Sequence, residues 1–135
     1  YEQIKNNFPE IITSFDSENI FCECYRNQIQ HVLLNILLNA RDAMPNGGTI
    51  TLGCFKQSDK KASISIADTG EGIAEEDYSN IFEPHFTKKS GSEKLAINLY
   101  ISKLIINNHK GRISFVSELG KGTTFKIVLP IAKTE

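Results

Sequence analysis

The residues best suited to chemistry in this chain are the five at positions 68–72, Asp-Thr-Gly-Glu-Gly, which follow an alternating, strand-like run at 63–67. A carboxylate at the end of a strand can accept hydrogen bonds from a ligand. The two glycines that follow let the backbone turn and approach that ligand, because no Cβ stands in the way. By itself the pattern is weak, since aspartate and glycine are also ordinary turn residues. Whether these residues form a binding site or an ordinary turn depends on the polar groups that the fold places beside them.

A helix predicted over residues 27–44 can supply such groups. Apart from His31, Asn35 and Asn39, almost all of its residues from 29 to 40 are apolar, which predicts that most of the helix surface is buried. A buried amide without a partner costs roughly 1–3 kcal/mol, so two asparagines one turn apart need an explanation. The polar side chains of the helix are spaced three and four apart and therefore share one face: Gln28, His31, Asn35, Asn39 and Asp42.

Two explanations are open for the asparagines. They could be hydrogen-bonded to neighbouring backbone, or they could form a polar wall that faces a bound ligand or a hydrated cation. The amide oxygen of Asn39 suits Mg²⁺, which takes oxygen ligands and usually keeps several waters. Taken together with residues 68–72, the second explanation predicts a nucleotide pocket.

Composition limits the class of protein. The chain has 135 residues, 15 basic and 16 acidic, and a formal charge of −1, which predicts one domain without attraction to nucleic acid or to a membrane surface. Three cysteines without a C-x-x-C pair, Cys22, Cys24 and Cys54, predict reduced thiols in a cytoplasmic protein and no zinc site. No apolar run approaches the roughly 18 residues of a membrane span, and no signal peptide is visible. Because the chain does not begin with Met, it is expected to be a piece of a longer protein.

The remaining pattern predicts an α+β domain at 11–135, after a linker remnant at 1–10. A short acidic helix is predicted at 75–82, and a second long helix at 95–109 with Gly111 as its C-terminal cap. This order of elements predicts a mixed sheet with helices packed on one face. Strands are predicted at 11–15, 20–24, 49–55, 62–68, 113–117 and 123–129.

Four ordered segments make the chain resemble the catalytic, ATP-binding domain of sensor histidine kinases. Residues 35–43 (Asn-Ile-Leu-Leu-Asn-Ala-Arg-Asp-Ala) resemble the N box of that family, and residues 68–72 its first glycine box. Residues 81–89 (Ile-Phe-Glu-Pro-His-Phe-Thr-Lys-Lys) resemble its F box, and Gly-Lys-Gly-Thr-Thr-Phe at 120–125, followed by Pro130, its closing hairpin. The resemblance implies a two-layer α/β sandwich, the Bergerat ATP-binding fold, which is shared with DNA gyrase, the mismatch-repair ATPases and the ninety-kilodalton heat-shock chaperone.

The resemblance implies a site for ATP or ADP with Mg²⁺. Asp68 would accept a hydrogen bond from the adenine amine, and Thr123 would offer its hydroxyl to the same region. Asn39 would hold Mg²⁺ between the phosphates with Asn35 on the same wall, so these two residues are the catalytic candidates. The other nucleotide-binding candidates are the lid anchors Phe82 and Phe86, together with Asp42, Gly70, Gly72, Ile73, Lys88 and Lys89. The two lysines could neutralise the phosphates or simply be solvated.

The chain departs from the family at the second glycine box, which is usually Gly-Thr-Gly-Leu-Gly-Leu. Lys94, Ala96 and Asn98 stand in place of its three glycines, unless residues 91–92 (Gly-Ser) replace the first Gly-Thr with a shifted lid. If the glycines supply left-handed backbone, each replacement costs roughly 1–2 kcal/mol. If they supply room, the added Cβ atoms crowd the phosphates. Either effect predicts nucleotide binding that is retained but weakened.

Two functions are therefore open. The first is a kinase catalytic domain that transfers the ATP γ-phosphoryl to a histidine on a separate dimerisation hairpin, with a response regulator engaged through the parent protein. The second is a degenerate nucleotide-binding or protein-interaction module without phosphotransfer. The chain's own histidines, His31, His85 and His109, lack the His-Glu/Asp context of an acceptor, so the isolated chain is expected to lack autokinase activity. The presence of Asp68, Asn39, Phe82 and Phe86 favours the first function, whereas the substitutions Lys94, Ala96 and Asn98 favour the second.

Overall fold

Two helices and five strands make up the part of the chain that the computed structural model describes, which is residues 9–15, 22–84 and 93–132, with the backbone alone at 93–98. The elements are β1 (Glu10–Phe15), α1 (Arg26–Asp42), β2 (Thr49–Lys56), β3 (Lys61–Asp68), a 3₁₀ turn (Glu75–Asp77), α2 (Glu93–Asn108), β4 (Arg112–Glu118) and β5 (Gly122–Pro130). The bounds of these helices and strands lie within two residues of the predicted ones.

The strands pair in the order β1-β2-β3-β5-β4. β1 runs parallel to β2, and the other neighbouring strands are antiparallel. The predicted α+β class with a mixed sheet is therefore confirmed. Because β3 lies between β2 and β5, Asp68 at its end pairs with Ile50 on one side and with Thr123 on the other. The register of the sheet thus places side by side two candidate residues that are 55 positions apart.

Both helices cover the same face of the sheet, where the inward side chains alternate along each strand. On β5, Phe125 and Ile127 are almost completely buried, whereas Lys126 between them is exposed. They pack in one cluster with Ile66 of β3 and Ile36 of α1. Burial of each such large apolar side chain contributes about 1.5–3 kcal/mol, so this cluster is the main support for the strand ends that carry the site.

The exposure of α1 differs from the prediction that most of its surface is buried. Val32, Ile36 and Ala40 are buried along one face, but Leu34 is 53% exposed. The prediction was wrong because the two-layer architecture covers a helix with the sheet on one side and with α2 on another. The side of α1 that faces away from both receives no packing partner from the described residues.

The end of α2 also differs from the prediction. The residue with a left-handed conformation is Lys110 (φ 61°), and not Gly111. The N–H groups of Lys110 and Gly111 donate to the carbonyl oxygens of Asn107 (3.0 Å) and Ile106 (2.9 Å), the pattern of a Schellman cap. Gly111 is needed for another reason, since a Cβ there would lie 2.4 Å from the carbonyl oxygen of Val128. The glycine permits close approach of the chain to β5.

The strand predicted at 20–24 is not present over its described part, residues 22–24; residues 20 and 21 lie outside the described residues. Residues 22–24 lead into α1, where the backbone N–H of Tyr25 donates to Nε2 of His109 at 3.0 Å. The apolar character that suggested a strand is explained by Cys22, which packs against the core without joining the sheet.

The short helix predicted at 75–82 is reduced to the 3₁₀ turn Glu75–Asp77 and further turns. Tertiary contacts account for the difference. The hydroxyl of Tyr78 donates to the carbonyl oxygen of Ser117, and Ile81 is 1% exposed. These two anchors hold the segment in tight turns, where i to i+3 bonds replace the α-helical pattern.

The three cysteines are free thiols. Burial raises the pKa of the Cys22 thiol above its usual value, and the neighbouring Cys24 and Cys54 raise it further. Because the thiolate is the reactive form, Cys22 is a poor nucleophile at neutral pH.

Ser102 on α2 provides a test of the packing between the helices. It is fully buried, and its Oγ has no hydrogen-bond partner among the described residues. Ser102→Ala is expected to raise the free energy of unfolding by about 1 kcal/mol, because it removes an unpaired buried hydroxyl and improves helix propensity. Urea denaturation measures the change, with Ser114→Ala at an exposed position of β4 as the control. A loss of stability in the Ser102 variant would contradict the packing described here.

Candidate functional site

A cavity of about 470 Å³, counted with its open mouth, lies between α1, the end of β3, the loop after it, α2 and β5. Its wall is mainly apolar and carries a few polar groups. The predicted site residues that line it are Asn39, Asp68, Gly72, Ile73 and Thr123.

The carboxylate of Asp68 is held in place by the backbone. Its Oδ1 accepts hydrogen bonds from the N–H of Gly70 at 2.8 Å and from the N–H of Thr123 at 3.2 Å. One donor comes from the loop that follows β3, and the other from the neighbouring strand β5. Backbone N–H donors stabilise the ionised form of a carboxylate, so the arrangement presents an oriented acceptor at the wall of the cavity.

The two glycines after Asp68 serve different steric requirements. A Cβ on Gly70 would lie 2.8 Å from the carbonyl oxygen of Ala43, so this glycine lets the loop pass against the end of α1. Gly72 has φ +78°, and a Cβ there would lie 2.3 Å from the carbonyl oxygen of Glu118. Gly72 lines the cavity, and Gly70 packs behind it. Neither position accepts a side chain without movement of the backbone.

Thr123 is 6% exposed and belongs to a hydrogen-bonded group around Ser117. Its Oγ1 lies 2.7 Å from Oγ of Ser117, which also accepts from the N–H of Ile73 at 2.8 Å. The cavity wall formed by Ile73 and Thr123 is thereby tied to β4. Ser117 was not among the predicted site residues, because nothing in its local sequence distinguishes it from the other serines of the strands.

The structure separates the polar residues that the sequence placed on one face of α1. Asn39 lines the cavity, and its Nδ2 is buried without a hydrogen-bond partner in the described part of the chain. Asn35 is 5% exposed, and its Nδ2 lies 3.0 Å from Nε2 of His31, away from the cavity lining. Asp42 is exposed beside Arg41, at 3.5 Å. Of the polar face, only Asn39 reaches the cavity among the described residues.

The Asn39 amide fits a cation that is held jointly with a ligand. No group of three or more His, Cys, Asp or Glu side chains within residues 9–15, 22–84 and 93–132 could hold a metal ion. Mg²⁺, however, is commonly bound through few protein ligands, with substrate phosphates and water completing its shell. The unpaired Nδ2 of Asn39 is a hydrogen-bond donor, so a phosphate oxygen or a coordinated water would supply its missing partner, while Oδ1 of the same amide is the atom that could bind the ion.

Phe82 is placed beside the site and not in it. Its ring packs against Phe115 with ring centroids 6.0 Å apart, and Nζ of Lys103 lies 5.2 Å from its centroid. The preceding residue, Ile81, lines the cavity instead. Four residues of the predicted lid, His85, Phe86, Lys88 and Lys89, lie outside the described residues.

The substituted glycine box lies at the start of α2. The backbone of Lys94, Ala96 and Asn98 is helical, so these positions require no left-handed conformation. Of the two costs considered from the sequence, the backbone term does not arise. Leu99, which directly follows Asn98, is 1% exposed and lines the cavity.

Sequence reasoning missed the apolar part of the cavity wall. Ala40 and Ala43 follow Asn39 at spacings of one and four on α1, and such small residues beside a polar one could have signalled a close ligand approach. Ile81, Leu99 and Phe125 carry no such signal, because ordinary core residues have the same character. They come together from three separate elements.

Comparison with known proteins places the chain among ATPases. A family profile described as "Histidine kinase-, DNA gyrase B-, and HSP90-like ATPase" matches residues 24–133. The adaptive-response sensory kinase SasA of Synechococcus elongatus is 33% identical over 97% of this chain and 34% of the relative. Sporulation kinase E of Bacillus subtilis is 39% identical over 86% of this chain and 15% of the relative. The histidine-protein kinase AtoS of Escherichia coli is 38% identical over 90% of this chain and 20% of the relative. The chain spans about a third or less of the length of these relatives.

Solved structures give the same result. The catalytic domain of the histidine kinase ThkA, in a nucleotide-free form, matches with a TM-score of 0.79 and 28% identity over 96% of this chain and 84% of that chain. Full-length ShkA in complex with AMPPNP matches with a TM-score of 0.82 over 97% of this chain and 27% of that chain. At 24% identity, the second match bears on the fold alone.

Proposed function

The chain belongs to the histidine kinase-, DNA gyrase B- and HSP90-like ATPase family, as an ATP-binding catalytic domain of the sensor histidine kinase type, and we propose that it holds ATP and Mg²⁺ in the cavity beside Asp68. The bound γ-phosphoryl is transferred to a histidine on a dimerisation hairpin of the parent protein. A response regulator then receives it. Because the chain spans about a third or less of its relatives, these steps belong to the proposal for the whole protein.

The observation that carries the proposal is the fixed carboxylate of Asp68 at the wall of a largely apolar cavity. A flat aromatic base suits apolar walls, and a single oriented acceptor selects a base that offers an exocyclic amine. Asp68 meets that need, because its Oδ1 is held by two backbone N–H groups. A base without that amine forgoes one hydrogen bond to a charged acceptor, which is worth about 1.5–3 kcal/mol.

The phosphate end of the site is assigned to Asn39 and the start of α2. Asn39 lies on α1, and its amide needs a polar partner. When bound, Mg²⁺ would neutralise phosphate charge, and Asn39 with the phosphates would hold it. Positioning supplies most of phosphoryl-transfer catalysis, so the placement of the cation relative to Asp68 determines where the γ-phosphoryl is presented.

The kinase function is favoured over the degenerate module. The relatives that match the chain along most of its length are named as kinases. The substituted box was the argument for degeneracy, and the helical backbone of residues 94–98 removes one half of that argument.

We place the domain on the cytoplasmic side of the cell. Neither helix in the described part of the chain is both long and apolar enough to cross a bilayer.

Calorimetric titration of the domain with ADP and with AMPPNP, each with and without Mg²⁺, tests the proposal. We expect binding of both nucleotides, with AMPPNP strengthened by Mg²⁺. An absence of nucleotide binding would reject the proposed function and leave an interaction module on an ATPase scaffold. Binding that ignores Mg²⁺ would reject the cation assignment alone.

Asn39→Ala is expected to weaken the binding of AMPPNP with Mg²⁺ about tenfold and to weaken Mg²⁺-free ADP much less. The free domain should lose little stability, because the Asn39 Nδ2 has no partner to lose among the described residues. Titration and urea denaturation measure the two effects. Asn107→Ala, an exposed change near the end of α2, is the matched control. Equal weakening with and without Mg²⁺ would show that Asn39 contributes only to packing.

A further inference from the structure

Ser117 on β4 makes hydrogen bonds with three groups at the edge of the cavity. Its Oγ accepts from the backbone N–H of Ile73 at 2.8 Å and donates to the carbonyl oxygen of Gly122 at 3.0 Å. The same atom lies 2.7 Å from Oγ1 of Thr123. Two of these partners, Ile73 and Thr123, line the cavity, so Ser117 acts on the wall from behind it.

The three distances determine where the protons lie. A serine hydroxyl carries one proton and two lone pairs. Because the carbonyl of Gly122 can only accept, the proton of Ser117 points to it. The lone pairs are then taken by the N–H of Ile73 and by the hydroxyl proton of Thr123. With its proton committed to Ser117, Thr123 Oγ1 has only lone pairs for a ligand and acts as an acceptor.

Thr123 is also bound to Asp68, because its backbone N–H donates to Oδ1 of that residue at 3.2 Å. A carboxylate and a hydroxyl oxygen, both acceptors, therefore lie together at one end of the cavity. A group with two N–H donors, such as the exocyclic amine of adenine, complements such a pair. A ring nitrogen acceptor or a carbonyl oxygen at the same place would face only lone pairs.

We propose that Ser117 is a positioning residue that fixes Thr123 as a hydrogen-bond acceptor and thereby sets the preference of the site for a base with an exocyclic amine. The proposal rests on the nucleotide function proposed above. It adds a residue outside the cavity lining to the determinants of base specificity.

The position of Ser117 is itself fixed from its backbone side. Its carbonyl oxygen accepts the hydroxyl of Tyr78, whose ring packs against Phe115 with centroids 5.2 Å apart. The backbone of Ser117 thus remains anchored when its hydroxyl is removed. A substitution at this side chain should act on the direction of the Thr123 hydroxyl and on Ile73, and not on the path of β4.

The test compares two ligands, ADP and the 5′-diphosphate of purine riboside, which lacks the amine. Ser117→Ala is expected to weaken the binding of ADP about tenfold, through the loss of one oriented acceptor and of the Ile73 contact. Binding of the amine-free analogue should weaken much less, because a freed Thr123 hydroxyl can turn to donate to the ring nitrogen. The dissociation constant of the analogue divided by that of ADP, measured by calorimetry, is the selectivity ratio. It therefore falls in the variant.

Three further variants separate positioning from general structure. Ser117→Thr keeps the hydroxyl and should restore the wild-type ratio. Ser114→Ala removes an exposed hydroxyl from the opposite face of the same strand and should leave both ligands unchanged. Thr123→Val should lower the ratio by itself, and adding Ser117→Ala to it should lower the ratio no further.

Equal weakening of both ligands in Ser117→Ala would reveal a purely structural role and overturn the proposal, as would unchanged binding. If Ser117→Ala does not fold, Thr123→Val decides the matter, because a wild-type ratio in that variant also overturns it. Failure of the proposed nucleotide function gives a different result, because the wild-type domain would then bind neither ligand.

Discussion

Asp68→Asn is expected to weaken ADP binding about a hundredfold while the domain keeps its fold. The asparagine carbonyl oxygen can still accept the N–H groups of Gly70 and Thr123, which now bond to Oδ1 of Asp68. The other arm of the side chain then presents an NH₂ group in place of carboxylate oxygen. An amine on the protein would face the amine of adenine, so the bond is replaced by an unfavourable contact between two donors.

The same variant should change selectivity as well as affinity. Inosine 5′-diphosphate carries a carbonyl oxygen in place of the adenine amine, and Asp68→Asn provides the donor for it. The ratio of ADP to IDP affinity, measured by calorimetry, is expected to fall sharply and to invert if the base keeps its pose. Asp59→Asn is the matched control, because Asp59 is fully exposed in the turn between β2 and β3 beside Lys56. Unchanged ADP affinity in Asp68→Asn would remove the assignment of the base to this end of the cavity.

Gly72→Ala is expected to have the largest effect on stability. Gly72 has φ +78°, which costs a non-glycine residue roughly 1–2 kcal/mol. Its added Cβ would also lie 2.3 Å from the carbonyl oxygen of Glu118, so the backbone must move. Such overpacking adds about 1–3 kcal/mol. Because Gly72 lines the cavity, the displaced loop should also weaken nucleotide binding.

Gly120 provides a matched control for this prediction. It has nearly the same conformation, φ +80°, but a Cβ there would meet no atom within 4 Å. Gly120→Ala should therefore cost only the conformational part, roughly 1–2 kcal/mol, and leave the cavity intact. Urea denaturation of both variants isolates the steric part as the difference. Equal losses of stability would show that the contact with Glu118 does not constrain the loop.

The sequence could predict the class of fold because the decisive signals are local. Alternation along β3 and β5, the glycines after α1 and the apolar stretch of that helix each depend on neighbouring residues. Deviations arose where a tertiary contact replaced a local preference. Tyr78 and Ile81 hold the predicted helix at 75–82 in turns, and Lys110 takes the left-handed position expected of Gly111.

The candidate site was predictable to the extent that its residues carry a chemical signature. Asp68 before two glycines and Asn39 in an apolar helix were visible from residue type alone, and the structure brings both to the cavity. Ser117 and Leu99 were not visible, since a strand serine and a helix leucine have many possible roles. Leu99 belongs to the cavity wall only because α2 lies beside the cavity.

By itself the sequence determined the two long helices, five of the strands, the mixed sheet and the polar residues capable of chemistry, because side-chain type and spacing act along the chain. Only the tertiary structure decided which of those residues meet. It selected Asn39 over Asn35 and Asp42, since a spacing of three or four drifts around a helix and the cavity touches one narrow strip. It also placed Asp68 beside Thr123 through the pairing of β3 with β5, a register set by the burial of one face of the sheet.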